Sequence, residues 1–283
     1  MKFLTFICLF FSQLLFAQND SLKNFKIAIG VEAGIYAGSI YSLNQLWYKD
    51  FPRSSFHWHN DNSNWLQMDK LGHSFSSYQL GLLSMDIFRS YGISEKKSIW
   101  YGGTYGTVFL TTIEILDGFS KEWGASWGDL LANTFGTSLL VFQEIIWKEQ
   151  RLQLKYSFLK SNYSDKNPEL LGSSLSQQLI KDYNGQTIWL SANINSFIKE
   201  SKLPYWLNVA FGYGVDGMIY SNSNINEKRQ FYISLDVDLR RVDTGNKFLN
   251  KTLKFLSFIK IPSPTILIDD FINFKFSPFY YGQ

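Results

Sequence analysis

The chain has 283 residues, a formal net charge of +3 and a single cysteine. That length holds one large domain or two modest ones, each with a real core. No basic cluster stands out, which argues against nucleic acid as a partner, and one cysteine rules out a disulfide framework.

The first seventeen residues read as a secretory signal peptide. Lys2 supplies a minimal positive start, Phe3 to Phe16 form an apolar core, and Ala17 before Gln18-Asn19-Asp20 offers a cleavage point. The segment is too short for a membrane span; an anchor that is never cut is the alternative. Cys8 lies inside this leader, without the small residue that normally precedes a lipid-modified cysteine. The mature chain is therefore expected to lack a thiol nucleophile or a thiolate metal site. Phe, Tyr and Trp number 25, 16 and 9 and make up 18% of the chain. Tyr and Trp favour places where one end is apolar and the other wet, membrane interfaces included. An exported, aromatic-rich chain of this kind fits the periplasm or outer membrane of a Gram-negative-type envelope. A plain soluble periplasmic protein is the alternative.

Residues 23 to 47 fit two descriptions. Phe25, Ile27, Ile29, Val31, Ala33 and Ile35 alternate as in a strand. The small residues Ala28, Gly30, Ala33, Gly34, Ala37 and Gly38 equally suit a tightly packed helix, the reading preferred here. Residues 48 to 68 are loop-like. Three helical segments follow: 70–91, stopped by Gly92; 95–117, capped by Ser94 and ended by Gly118; and 127–149, after Ser126. The runs 98–113 and 130–143 carry no charge. Both fall short of the 18 or so residues that argue for a membrane span. Gly102, Gly103 and Gly106 permit close backbone approach.

Beyond residue 150 the apolar period changes from 3.6 to 2. Leu154, Tyr156 and Phe158 begin the series, followed by Ile188 to Ile194, Leu207 to Val215, Phe231 to Leu239, and Ile272, Phe274 and Phe276. Such alternation gives strands with one apolar and one polar face. It also matches outer-membrane strands, but those barrels need at least eight and only about five are visible. A sheet covering the helical layer is more economical. Short helical pieces near 169–182 and 246–258 interrupt it. The expected fold is α+β: an N-terminal helical bundle of three to four helices over 18–150, then an antiparallel sheet over 151–283.

Three polar pairs sit at helical spacing in the three apolar segments: Asp69 with His73, Glu114 with Asp117, and Asp129 with Asn133, followed by Gly136. Residues three or four apart share a helix face, and ionisable groups are rarely buried unless paired or bound to a metal. If the three faces converge, they build a polar centre around His73. His73 would then be general acid or base, oriented by Asp69, with Glu114, Asp117 and Asp129 holding a divalent cation or a water and Asn133 completing the set. A metal would fall to His73, Glu114, Asp117 and Asp129. Plainer readings stand beside these. Asp69 can cap its helix and His73 can be a hydrogen-bonded core residue. Glu114 and Asp117 can end an exposed helix, although the macrodipole disfavours acids there. Ser126-Trp127-Gly128-Asp129 can be a capping box. Lys70 either faces away or answers a nearby carboxylate. His57 and His59, beside Asp61, form a weaker zinc candidate with His73. No Gly-rich phosphate loop follows a strand and no Gly-x-Ser-x-Gly elbow occurs.

The arrangement Asp69-Lys70-x-x-His73, Glu114-x-x-Asp117 and Ser126-x-x-Asp129-x-x-x-Asn133-x-x-Gly136 resembles the YfiM-like family of predicted periplasmic lipoproteins, a domain of unknown function. The resemblance covers about residues 65 to 150. More loosely, the pattern is similar to VanZ-like membrane proteins. The resemblance implies an envelope location, a helical core and a membrane or lipid partner; it supplies no reaction. The leader departs from it in lacking a lipidation cysteine at its end. Two main functions follow. One is an envelope protein in which the polar centre is structural or binding. The other is a membrane-associated hydrolase or transferase acting on a lipid or phosphate ester through His73. A third is an outer-membrane strand protein with a helical plug.

Overall fold

The computed structural model describes residues 21–48, 51–198, 200–221, 227–269 and 273–280. The expected leader with Cys8, and Ile272, lie outside the described residues. Contacts divide the chain into two compact units, Met1–Asn60 with Ser76–Lys148, and Asp61–Phe75 with Glu149–Gln283.

The first unit is helical. Helix α1, Ser21–Leu43, continues into a π-helical turn, Asn44–Tyr48. Helix α2 is Met68–Ser90, and its part from Ser76 onward belongs here. Short turns at Glu95–Lys97 and Ser98–Gly102 lead into α3, Tyr105–Gly118, and α4, Trp127–Ile146. The ambiguous segment is helical because Phe25, Ala28, Val31 and Ile35, at helical spacing, pack on Ile87, Phe88, Tyr91 and Ile93. The glycines of α1 play no part in tight packing: Gly30, Gly34 and Gly38 face open space. Close approach is made elsewhere. A Cβ on Gly106 would lie 2.0 Å from the Ser77 carbonyl oxygen, and one on Gly102 would lie 2.5 Å from Met85 Cα. Among the described residues no helix is long and apolar enough to cross a membrane.

The second unit is a six-stranded antiparallel sheet in the order β1 to β6. Its strands are β1 Leu152–Phe158, β2 Gln186–Asn193, β3 Leu207–Asp216, β4 Lys228–Val237, β5 Ser263–Asp269 and β6 Asn273–Tyr280. The expected helical pieces appear as Pro168–Leu171, Leu175–Lys181, Lys247–Phe255 and Leu256–Phe258. Strand β5 was not expected. Pro264 sits at its start, where a proline is tolerated, and only Ile266 and Ile268 carry its alternation.

The sheet is inside out. Gln153, Lys155, Ser191, Asn208, Ser234 and Asp236 are buried, while Leu190, Phe211, Ile233, Leu235 and Ile266 are exposed. The sheet curls around its polar face. On a flat sheet β2 and β6 would stand roughly 19 Å apart, yet the rings of Trp189 on β2 and Tyr280 on β6 are 6.1 Å apart. Ile259, shortly before β5, forms a parallel bridge with Tyr156 on β1, and the Lys260 amide donates to the Tyr156 carbonyl at 2.8 Å. The free edge of β1 is thus partly closed.

Among the described residues, no cation stands beside one buried acid of the helical unit. Glu32 is 6% exposed on α1. Burial pushes its carboxyl up to about 7, and Ser84 opposes the shift. The native state keeps this proton up to about 7, whereas the unfolded chain releases it near 4.5. Stability is therefore full below about 4.5 and falls as pH rises through about 7, by on the order of 3 kcal/mol. Thermal melts from acid to pH 8 should show this fall, and Glu32→Gln should remove it.

Candidate functional site

The polar residues singled out by spacing divide between the two units. Asp69 and His73 belong with the sheet, and Glu114, Asp117, Asp129 and Asn133 with the helices.

In the sheet unit the site begins with a strained turn. Trp65, Leu66 and Gln67 have φ of 52°, 48° and 63°. Three consecutive non-glycine residues in the left-handed region cost about 1 kcal/mol or more each. The sheet unit clamps all three. The Trp65 amide donates to the Ser221 carbonyl at 3.1 Å. The Tyr213 hydroxyl donates to the Leu66 carbonyl at 2.6 Å, and Arg229 donates to Gln67 Oε1 at 2.9 Å. Behind the turn, Met68 is buried with Ile188, Val215 and Met218, while Leu71 and Phe75 pack on the same cluster. This packing fixes the rotation of the first two turns of α2, and hence the direction of Asp69 and His73.

Asp69 then stands at the centre of a chain of contacts. Its Oδ1 accepts from the Tyr183 hydroxyl at 2.7 Å, and its Oδ2 from Lys70 Nζ at 3.1 Å. Lys70 also meets Asp61 Oδ2 at 2.7 Å. His73 Nε2 lies 3.8 Å from Asp69 Oδ1, too long for a hydrogen bond but close enough for an ion pair or a shared ligand. Burial alone would raise the Asp69 carboxyl, but His73, Lys70 and Tyr183 outweigh it and hold the group below the usual carboxylate range. An ionised carboxylate held from two sides can steady the imidazole and stabilise positive charge formed on it during proton transfer. The pair also offers a nitrogen and an oxygen at a spacing that one cation can span. Lys70 answers two carboxylates, as one of its expected alternatives has it. Tyr183 could not be found from spacing, because it lies 114 residues from Asp69 in sequence.

In the helical unit one of the acids, Glu114, serves the start of the next helix. Ser126 is the N-cap of α4, and its Oγ accepts from the Asp129 amide at 3.3 Å. This is one half of the expected capping box. The other half is supplied differently: the Ser126 amide donates to Glu114 Oε2 at 2.9 Å. Glu114 sits near the C-terminus of α3, where its charge is disfavoured, but it reaches the N-terminus of α4, where a negative charge is welcome. Asp117 Oδ1 accepts from the Tyr48 hydroxyl at 2.7 Å. The carbonyl of the fully buried Asn133 accepts from Ser77 Oγ at 2.7 Å and Thr107 Oγ1 at 2.9 Å. Thr137 joins both hydroxyls, at 2.9 and 2.8 Å. This hydroxyl cluster ties α2, α3 and α4 together, and it explains why Gly106 has to sit against Ser77. His57 is committed to its loop, with Nε2 2.9 Å from the Trp123 carbonyl. The His59 amide donates to the Ala125 carbonyl at 2.9 Å.

Residues 57–144 match the family described as "Predicted periplasmic lipoprotein (DUF2279)". No curated protein and no solved structure matches the chain. The DUF2279 match covers about a third of the chain and contains all six residues of the polar pairs, together with Lys70 and Ser126. It agrees with the YfiM-like resemblance of these motifs, and its description accords with an exported, periplasmic or outer-membrane-associated protein. Apart from residues 61–75, which the match includes, the sheet unit lies beyond it.

Glu114→Ala should leave the buried Ser126 amide without this acceptor, at about 1–3 kcal/mol. Ser126→Ala should cost about 1 kcal/mol. Because both act on one helix start, the double variant should cost less than the sum, as denaturant melts of the four proteins would measure.

Proposed function

We propose that this chain is an exported cell-envelope protein whose polar residues form a structural and binding centre, with Asp69 and His73 as its ligand-facing pair. The observation that carries this reading is the setting of Asp69. Its carboxylate is held by Tyr183 and Lys70, and Lys70 in turn by Asp61, directly after a strained turn that the sheet unit clamps. Strain of this kind persists where the surroundings over-determine it, and it gathers at binding and switch sites. The bonds made by Glu114 and Asp117 support a structural part for the helical acids. The DUF2279 description supports the envelope location and a membrane or lipid partner.

A second reading is a membrane-associated hydrolase or transferase acting on a lipid or phosphate ester. The placement of His73 Nε2 beside Asp69 favours it. His73 would move the proton and Asp69 would orient it. A divalent cation, if used, would take His73 and Asp69, and Asp129, Glu114 and Asp117 are the further oxygens that the sequence offers.

Elemental analysis of the purified protein, combined with thermal melts, separates the two. The structural and binding reading expects no stoichiometric metal, and a melting temperature lowered by several degrees in His73→Ala. A metal near one per chain, lost in His73→Ala with the melt unchanged, favours the enzyme reading, whereas no metal leaves that reading only metal-free acid–base catalysis by His73. If the metal is lost in Asp129→Asn as well, Asp129 belongs to the same ion.

A further inference from the structure

The start of α2 covers the outward face of the sheet at Ile188, Tyr213 and Val215, and the rest of that face is an exposed apolar surface. Strand register places Leu190, Phe211, Ile233, Ile266 and Phe276 side by side across β2 to β6. All five are exposed, from 37% at Leu190 to 70% at Phe276. At about 4.8 Å per strand the row runs about 20 Å. Val209 and Leu235 lie paired on one side of it, and Phe231, Ile268 and Phe274 on the other.

The part left open is distinct from the polar interior, which the sheet encloses on its opposite face. There Lys155 and Asp236, both fully buried, pair at 2.7 Å, and Ser191 donates to the same carboxylate at 2.6 Å.

We infer that this face seats in the hydrocarbon of an anionic lipid bilayer. Three observations choose lipid over protein. First, protein interfaces carry about one hydrogen bond per 100–200 Å² and a polar rim, whereas the rows offer hydrocarbon side chains above backbone that is bonded within the sheet. Second, apolar-out, polar-in alternation is the repeat of strands that face lipid, and β3 and β4, at ten residues each, match the length of such strands. Third, the helix Lys247–Phe255 joins a basic face to exposed apolar side chains. Lys247, Lys251 and Lys254 stand at helical spacing, and Phe248 and Leu249 are exposed. Such a helix lies in the headgroup layer of anionic membranes. The inference deepens the envelope reading above by naming the surface and its partner.

The test uses the full chain with Cys8→Ser, so that an introduced thiol is the only one. An environment-sensitive fluorophore is placed at Ile233→Cys or Phe276→Cys, with Ser173→Cys as the exposed control, and phosphatidylglycerol vesicles are added. Labels at 233 and 276 should shift to the blue and brighten, and the label at 173 should not. Ile233→Lys and Phe276→Lys should each weaken vesicle binding by about tenfold or more while circular dichroism stays unchanged. Lys251→Glu with Lys254→Glu should weaken binding to phosphatidylglycerol vesicles but not to phosphatidylcholine vesicles. No shift at 233 and 276 overturns the inference. So does a shift that needs no vesicles and grows with protein concentration, which would assign the face to a second copy of the chain. Either failure leaves the Asp69–His73 reading standing, because its metal and melting readouts are taken without lipid.

Discussion

A buried charge has to be met, and Lys155 shows how strictly the sheet obeys. Its ammonium is wholly buried, pairs with Asp236 and donates to the Val237 carbonyl at 2.7 Å. Leaving either partner alone would cost several kcal/mol. The neighbouring Lys260 feels the same enclosure. Burial pulls it down to about 8, Asp236 opposes the shift and Lys155 adds to it. Lys260 answers with two backbone carbonyls, of Leu235 and Ile261, and the face of Trp189. These demands can be met only if the sheet curls its polar side inward. Once it does, alternation forces the apolar side chains out, and the exterior of this unit follows from its interior.

The helical unit solves the same problem with helix ends. Glu144 is buried and meets Arg89, which also pairs with Glu95. Glu114 finds an amide at the start of the next helix. In each case a charge that one helix disfavours is made acceptable by a neighbour, so the polar residues decide which neighbours are allowed. Glycine then sets the distance, because the hydroxyls gathered at the Asn133 carbonyl need the backbones as close as Gly106 permits. The start of α2 adds a different device: a left-handed turn held from outside aims Asp69 and His73, and the helix's own preferences would not produce it.

Much of this was legible in the residues. The shift from a period of 3.6 to one of 2 near residue 150 marks where helices give way to strands, because each period puts one kind of side chain on one face. Gly92, Gly118 and Ser126 mark helix ends through their own conformational and capping preferences. The pairing of Asp69 with His73 followed from four-residue spacing. Other features were out of reach. Alternation in residues 23 to 47 could not exclude a helix. Pro264 hid β5. Asp129 looked like the reciprocal partner of Ser126, and a carboxylate twelve residues earlier took that place.

The sequence alone determined which side chains share a face and where most of the regular elements run, because both depend on local geometry. It could not say which face of the sheet would be buried, since period-2 alternation is symmetric between an apolar interior and an apolar exterior. Tertiary structure decided that, by bringing Lys155 to Asp236 across 81 residues of sequence. It likewise brought Tyr183 to Asp69 and clamped residues 65 to 67, because only a folded chain can select partners so far apart.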